Sequence, residues 1–245
     1  MTWQSLVRLS TGLHKWIALI VGVQVLFWVA GGLVMTVLPI GVVRGEHHAP
    51  EVSRPALAAG EAAPLSQVLA RSGLASPVEA TLKTTPRGLV WLVTPARGPA
   101  VALDGVSGLR LPPLDRVGAL AAARAGYRGD SAPTTVRFLT TAPRETRKEG
   151  PLWRVDFADA EGTTLYISPA TGEVVSRRSG VWRFYDLFWR LHVMDWREGE
   201  NFNHPLIIGA AALTLVMTLT GFVLLIVRLA RDARRRRAPQ TLSSS

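Results

Sequence analysis

The 245-residue chain contains no cysteine. Disulfides, a thiol nucleophile and a thiolate metal site are therefore excluded, and any folded domain must be held by burial and backbone pairing alone. Histidine is scarce and unevenly placed: of five, none lies between residues 49 and 191. No Gly-x-Ser-x-Gly elbow and no metal-spaced His/Glu motif occurs, so a hydrolase has no support. Charge is thin at 19% of residues, and two long stretches carry none.

Those stretches dominate the organisation. Trp16 to Val43 runs 28 residues without a charge, and Pro205 to Val227 runs 23. A helix rises about 1.5 Å per residue and the hydrocarbon core is about 30 Å thick, so about 20 apolar residues cross it. Both runs qualify as transmembrane helices. A buried helix of a soluble protein is usually shorter and has a polar face. A cleaved signal peptide fits the first run poorly, because the apolar stretch is too long and no small-x-small site follows it.

The formal net charge of +10 is a topology signal rather than a nucleic-acid signature. Arg8 and Lys15 precede the first run. Arg228, Arg231, Arg234, Arg235, Arg236 and Arg237 follow the second, against the single acid Asp232. The two flanks together carry +7, and the segment between the runs only +3. Basic flanks stay on the cytoplasmic side. The expected layout has both termini inside, lipid as the first partner, no nucleic-acid partner, and a central domain of about 160 residues outside.

Between the runs, Arg44 to Pro64 reads as a proline- and alanine-rich linker that spaces the domain from the membrane. Leu65 to Gly73 then has helical spacing and a terminal glycine. Strands are expected at Val78–Lys83, Leu89–Thr94, Val101–Leu103 and Leu109–Leu111. The order recurs: a helix over Leu114–Gly126, then strands at Thr135–Leu139, Leu152–Phe157, Thr164–Ile167 and after Gly172. The two hairpins superpose at an offset of 64 residues, Leu103 on Ile167, Asp104 on Ser168 and Gly108 on Gly172. Such self-similarity points to a duplicated helix-plus-sheet module. Ser168-Pro169-Ala170-Thr171-Gly172 is turn chemistry, proline for the entry and glycine for the φ > 0 exit. Neither Ser168 nor Thr171 has a histidine at a readable distance to activate it.

Leu165-Tyr166-Ile167-Ser168-Pro169-Ala170-Thr171-Gly172-Glu173-Val174 resembles the hallmark of the PepSY domain. Leu13-His14-Lys15-Trp16, opening an apolar span, resembles the first helix of PepSY-associated transmembrane proteins. So does Leu191-His192-Val193-Met194-Asp195-Trp196, leading through Asn201-Phe202-Asn203-His204-Pro205-Leu206 into a span ending Thr220-Gly221-Phe222. The resemblance implies an α+β periplasmic domain of two helix-plus-antiparallel-sheet repeats, anchored in the bacterial inner membrane by two transmembrane α-helices. Its parts are a cytoplasmic N-terminus (1–15), helix one (16–43), the linker (44–64), a degenerate repeat (65–113), the PepSY domain (114–180), a membrane-surface segment (181–204), helix two (205–227) and a basic cytoplasmic tail (228–245).

Some larger relatives, with four or more spans, are implicated in siderophore-iron reduction with haem held by membrane histidines. Other PepSY proteins are proposed to bind or inhibit peptidases. Two spans point away from an autonomous reductase. The expected function is an accessory or binding protein, not an enzyme, whose periplasmic domain contacts another membrane or periplasmic protein or a ligand. The alternative is a haem-binding electron-transfer subunit linked to ferric-chelate reduction.

All five histidines, His14, His47, His48, His192 and His204, lie near the membrane margins in this layout. For haem b the candidate ligands are His192, His204 and His14, because the resemblance carries them. His14 and His204 would stand about 30 Å apart across the bilayer and cannot share one haem. An outer-face pair would take one of His47 or His48 with one of His192 or His204. Interfacial placement, shared with Trp3, Trp16, Trp182, Trp189 and Trp196, explains the same positions without a ligand. No catalytic residue and no metal site is assigned. Trp182, Tyr185, Phe188, Trp189 and His192 share one helical face, expected to lie on the outer membrane surface or to wall a flat cofactor. Gln24 with Gly22, Gly31 and Gly32, and Gly209, Thr214, Thr218, Thr220 and Gly221 opposite, are expected to pack the spans together.

Overall fold

The computed structural model describes residues 3–50, 59–197, 199, 201 and 203–237; the side chains at 3–15, 59, 220, 223, 224, 227 and 235–237 are outside the described set. The chain divides into two compact units, residues 1–37 with 186–245, and residues 38–185.

The first unit is helical. Helix α1 covers Trp3–Val37 and α6 covers Pro205–Arg237. The apolar part of α1, Trp16–Val37, is 22 residues long, about 33 Å at 1.5 Å per residue and enough to cross a bilayer. Its apolar side chains point outward: Ile20 is 69% exposed and Leu26 64%. A soluble core helix would bury them. The 28-residue uncharged run is not one helix, because α1 stops at Val37 and Pro39 precedes a separate turn of helix, α2, Ile40–Val43. Proline lacks the amide hydrogen and disfavours helix at the residue before it. In α6 the described apolar stretch is Pro205–Leu219, shorter than a full span.

The C-terminal part of α5, Gly180–Val193, completes this unit. Of the span glycines, only Gly31 is at a close approach among the described contacts. A Cβ there would lie 3.3 Å from the Phe188 carbonyl oxygen and 3.5 Å from His192 Cβ. The small residue thus admits α5. Gly22, Gly32, Gly209 and Gly221 face open space.

The second unit is α+β with two antiparallel sheets. The first has the order β1-β2-β3, from Pro77–Thr85, Gly88–Pro95 and Val101–Asp104. Helix α3, Leu65–Ser72, ends on Gly73 at φ +69° and buries Val68 with Ala63, Val93 and Leu103. The expected strand at Leu109–Leu111 shrinks to one bridge, Leu103 to Arg110. The second sheet has the order β4-β5-β6-β7, from Pro133–Leu139, Leu152–Phe157, Thr164–Ile167 and Val174–Arg178. Helix α4, Arg116–Ala125, is capped by the Asp115 carboxylate, which accepts from Gly118 N at 2.7 Å. It buries Ala119 and Ala123, one turn apart, and the second core gathers Ala123, Tyr127, Val155, Phe157, Leu165 and Ile167. Each fully buried aliphatic side chain contributes about 1.5–3 kcal/mol.

Both halves use the same closures. Asp104 N donates to Leu109 O and Gly108 N to Asp104 O; Ser168 N donates to Glu173 O and Gly172 N to Ser168 O. Gly108 and Gly172 sit at φ +73° and +72°. Trp91 pairs with Leu103 across β2 and β3, as Trp153 pairs with Ile167 across β5 and β6. The Trp91 indole donates to Ala63 O and the Trp153 indole to Leu114 O, each carbonyl two residues ahead of its helix.

The stretch read as a spacer, 44–64, is docked at both described ends. Arg128 N donates to His48 O at 2.8 Å, and Ala63 N donates to Gly105 O at 2.8 Å. Residues 51–58 lie outside the described set.

Candidate functional site

The PepSY-like turn acts as a joint between the sheets. Its carbonyls point outward: Pro169 O accepts from Leu114 N at 2.8 Å and Ala170 O from the Arg87 guanidinium at 2.9 Å. Thr171, 2% exposed, accepts from Glu173 N at 3.3 Å. Its hydroxyl is spent inside the turn, which agrees with the reading of this motif as punctuation.

On the far face of β6, Tyr166 is fully buried and donates its hydroxyl to Glu145. Burial, then this bond and the Glu145 charge, push the phenol well above its ordinary range. Arg183 holds the other Glu145 oxygen at 3.3 Å and reaches Thr164 Oγ1 at 3.2 Å. Arg178 lies 4.1 Å over the Trp182 ring, a cation–π contact. This network fixes the edge of the sheet onto the start of α5.

Beside it lies a groove of about 310 Å³ whose lining includes Arg44, Arg147, Lys148, Arg177 and Arg178. No carboxylate is among the residues lining it. Arg177 is the informative member. Its guanidinium donates to Gly126 O at 3.1 Å, but its buried Nε has no partner among the described residues. Burial pulls its pKa down, the mark of a cation stripped of water without a compensating anion. Ser176, 7% exposed, also lines the groove with its hydroxyl unpartnered. A buried cation left without an anion is costly in isolation, and an anionic group at the Arg177 guanidinium would offset that cost.

A second cluster joins residues far apart in sequence. His47 and His48 sit on a 3₁₀ turn, Glu46–His48, and Glu161 on the loop between β5 and β6. His47 Nε2 is 3.1 and 3.2 Å from the two Glu161 oxygens, and His48 Nε2 is 3.4 Å from Oε2. His48 stacks on Tyr127, whose hydroxyl donates to Asp159 at 2.9 Å. Burial opposes the Asp159 charge, but bonds from Thr163 and Tyr127 and the nearby His48 outweigh it and hold this carboxyl below its usual range. Nothing in the sequence links Glu161 to the His47-His48 pair, because 114 residues separate Glu161 from His47.

The histidines carried by the resemblance are elsewhere, in the helical unit. Trp28 Nε1 donates to His192 O at 2.7 Å, and the His204 Nε2 atom lies 3.0 Å from Val193 O. These side chains cap carbonyls that the end of α5 leaves without helical partners. Met194 follows at φ +55°. Among the described residues the His192 Nδ1 atom is buried without a hydrogen-bond partner and lies 3.5 Å from the Cβ position at Gly31; Gln24 Nε2 is likewise buried and unpartnered. The His14 side chain lies outside the described residues.

The exposed apolar helix Trp16–Val37 and the match below mark a membrane-associated PepSY protein. The family model for the PepSY-associated TM region matches residues 11–243, and the chain belongs to that family. Comparison with curated proteins and with solved structures returned no match.

Proposed function

We propose that the chain is an accessory binding protein whose sheet unit engages an anionic group, on a ligand or on a partner protein, through the Arg177 groove. The supporting observation is the buried Arg177 guanidinium, with an unpartnered Nε and no carboxylate in the lining. In this reading the chain crosses the inner membrane twice, at the Trp16–Val37 helix and within α6, with both termini cytoplasmic and a duplicated PepSY-type domain in the periplasm. The arginine-rich tail supports that orientation, and the recurring turn and tryptophan closures support the duplication. Haem chemistry is not needed for this role. The test is thermal unfolding of the detergent-purified chain with inorganic phosphate against chloride at matched ionic strength. Phosphate should raise Tm in the parent and not in Arg177→Gln. Equal melting in both salts removes the reading.

A haem-bearing electron-transfer subunit is the second reading, on the ligand chemistry of His192 and His204. The donor set fits in part. His204 Nε2 is engaged with Val193 O, and His192 Nδ1 is enclosed by α1, so ligation would fall to the opposite ring nitrogens. Haem would supply one-electron transfer there. A Soret band in protein from haem-replete cells, lost in His192→Ala, would establish it; a colourless sample would remove it.

A further inference from the structure

We propose that His47, His48 and Glu161 bind a divalent transition-metal ion that fastens the segment after α2 to the loop between β5 and β6. The donor atoms of all three lie within 4.8 Å of one another. Tetrahedral zinc holds nitrogen and oxygen donors at about 2.0–2.1 Å, which sets neighbouring donors about 3.4 Å apart. The observed imidazole–carboxylate separations are 3.1 to 3.4 Å. A bound ion would take the place of the His47–Glu161 hydrogen bonds.

The His48 ring is positioned as a ligand. Its Nδ1 lies 3.4 Å from Arg128 O, the kind of outer contact that fixes which nitrogen carries the proton and turns the other toward a metal. Its Nε2 is buried and, although 3.4 Å from Glu161, makes no directed hydrogen bond. The nitrogen is near the carboxylate without the angle of an N–H donor, as expected of two ligands of one ion. Arg128 N in turn holds His48 O at 2.8 Å, so main chain and side chain are both fixed.

Glu161 is equally supported. Asp159 accepts from Thr163 N at 2.7 Å and from the Tyr127 hydroxyl at 2.9 Å, shaping the loop, and Glu161 O accepts from Gly180 N at 2.7 Å. Tyr127 therefore touches the His48 ring and, through Asp159, the loop carrying Glu161. Two imidazoles with one carboxylate select zinc, copper, nickel or cobalt over magnesium or calcium, which take oxygen cages. Three protein donors leave a fourth position for water or an exogenous donor. Arg177 and Arg178 line the small cavity beside His48 as well as the larger groove.

The test is titration of the EDTA-treated, detergent-purified full chain with Zn²⁺ by calorimetry and with Co²⁺ by its visible d–d absorption. One ion per chain is expected, with a rise in Tm on adding Zn²⁺. His47→Ala, His48→Ala and Glu161→Gln should each weaken binding more than about tenfold, and Tyr127→Phe about tenfold, in the range of outer-contact losses. His192→Ala with His204→Ala should leave it unchanged. Absence of binding, binding indifferent to the three ligand variants, or binding lost with His192 and His204 would each overturn the proposal. His47 is the most exposed of the three, so His47→Ala reads the site even if His48→Ala unfolds. Because the readout is metal and not phosphate, failure here is distinguishable from failure of the groove.

Discussion

The two sheets of the second unit begin alike and end differently. In each, a helix precedes the strands, a tryptophan on a central strand bonds the chain just before that helix, and a glycine at φ near +70° closes the last turn. After the first turn the chain makes a single bridge and leaves. After the second it pairs as a full strand, β7, and enters α5. The side chains at the turns differ accordingly. Asp104 accepts from Val106 N, Ser107 N and the Ser107 hydroxyl, so the first turn is closed by a charge. Ser168 and Thr171 close the second with neutral hydroxyls. Both turns also offer a carbonyl to the chain ahead of their own helix, Gly105 O to Ala63 N and Pro169 O to Leu114 N; the second adds a bond to the other sheet, from the Arg87 guanidinium to Ala170 O.

The correspondence breaks first, if it breaks, in the cores. Leu103 and Ile167 occupy matching places and both are fully buried. Leu103→Ala and Ile167→Ala should each cost about 2–5 kcal/mol in urea unfolding. A loss under about 1 kcal/mol at either would show that its half is not a packed core.

Next in size are the turn glycines. Gly108→Ala and Gly172→Ala put a side chain in the left-handed region and should each cost about 1–2 kcal/mol. At Gly172 the new methyl also meets Arg87 Cγ and Leu114 Cδ1 at 3.4 Å, and at Gly108 it meets Val68 Cα at 3.3 Å. Equal losses by thermal unfolding would support equivalence of the turns.

Thr171→Val should cost about 1 kcal/mol, the worth of one hydrogen bond, in the same unfolding assay. A loss beyond about 3 kcal/mol would give the motif more than a turn's role.

The smallest difference is one of pH. The bond from Ser107 N, foremost, and then the Ser107 hydroxyl hold the Asp104 carboxyl below its ordinary value of 3.8. A depressed folded-state pKa means that this stabilisation is complete above 3.8 and is lost as acid carries the pH down through the folded value. Urea midpoints of the parent should therefore fall toward those of Asp104→Asn in that window. The second turn has no such acid at Ser168. A constant gap between parent and variant across the window would refute the assignment.

Much of this architecture was legible because it rests on local chemistry. Helix α3 and its terminal Gly73, the alternation of Trp153, Val155 and Phe157, and the Ser168–Gly172 turn each lie within a few residues of one another, where spacing and turn preference act directly. The end of the first helix at Val37 departs from the expected helix over 16–43 although its cause is local: Pro39 sits inside an apolar run that hydropathy alone reads as continuous. The role of 44–64 was not legible, since nothing in His47-His48 or Ala63 declares the carbonyls and amides they meet.

The apolar span, the order of helices and strands, and the turn residues follow from the chain's local order, because period and φ preference are properties of neighbours. Which side chains meet depends on the folded arrangement. His47 with His48 and Glu161, Arg177 without an anion, and the joint of Arg87 to Ala170 all link segments brought together by burial of two separate cores. Sequence distance carries no record of such proximity, and the chemistry of both candidate sites depends on it.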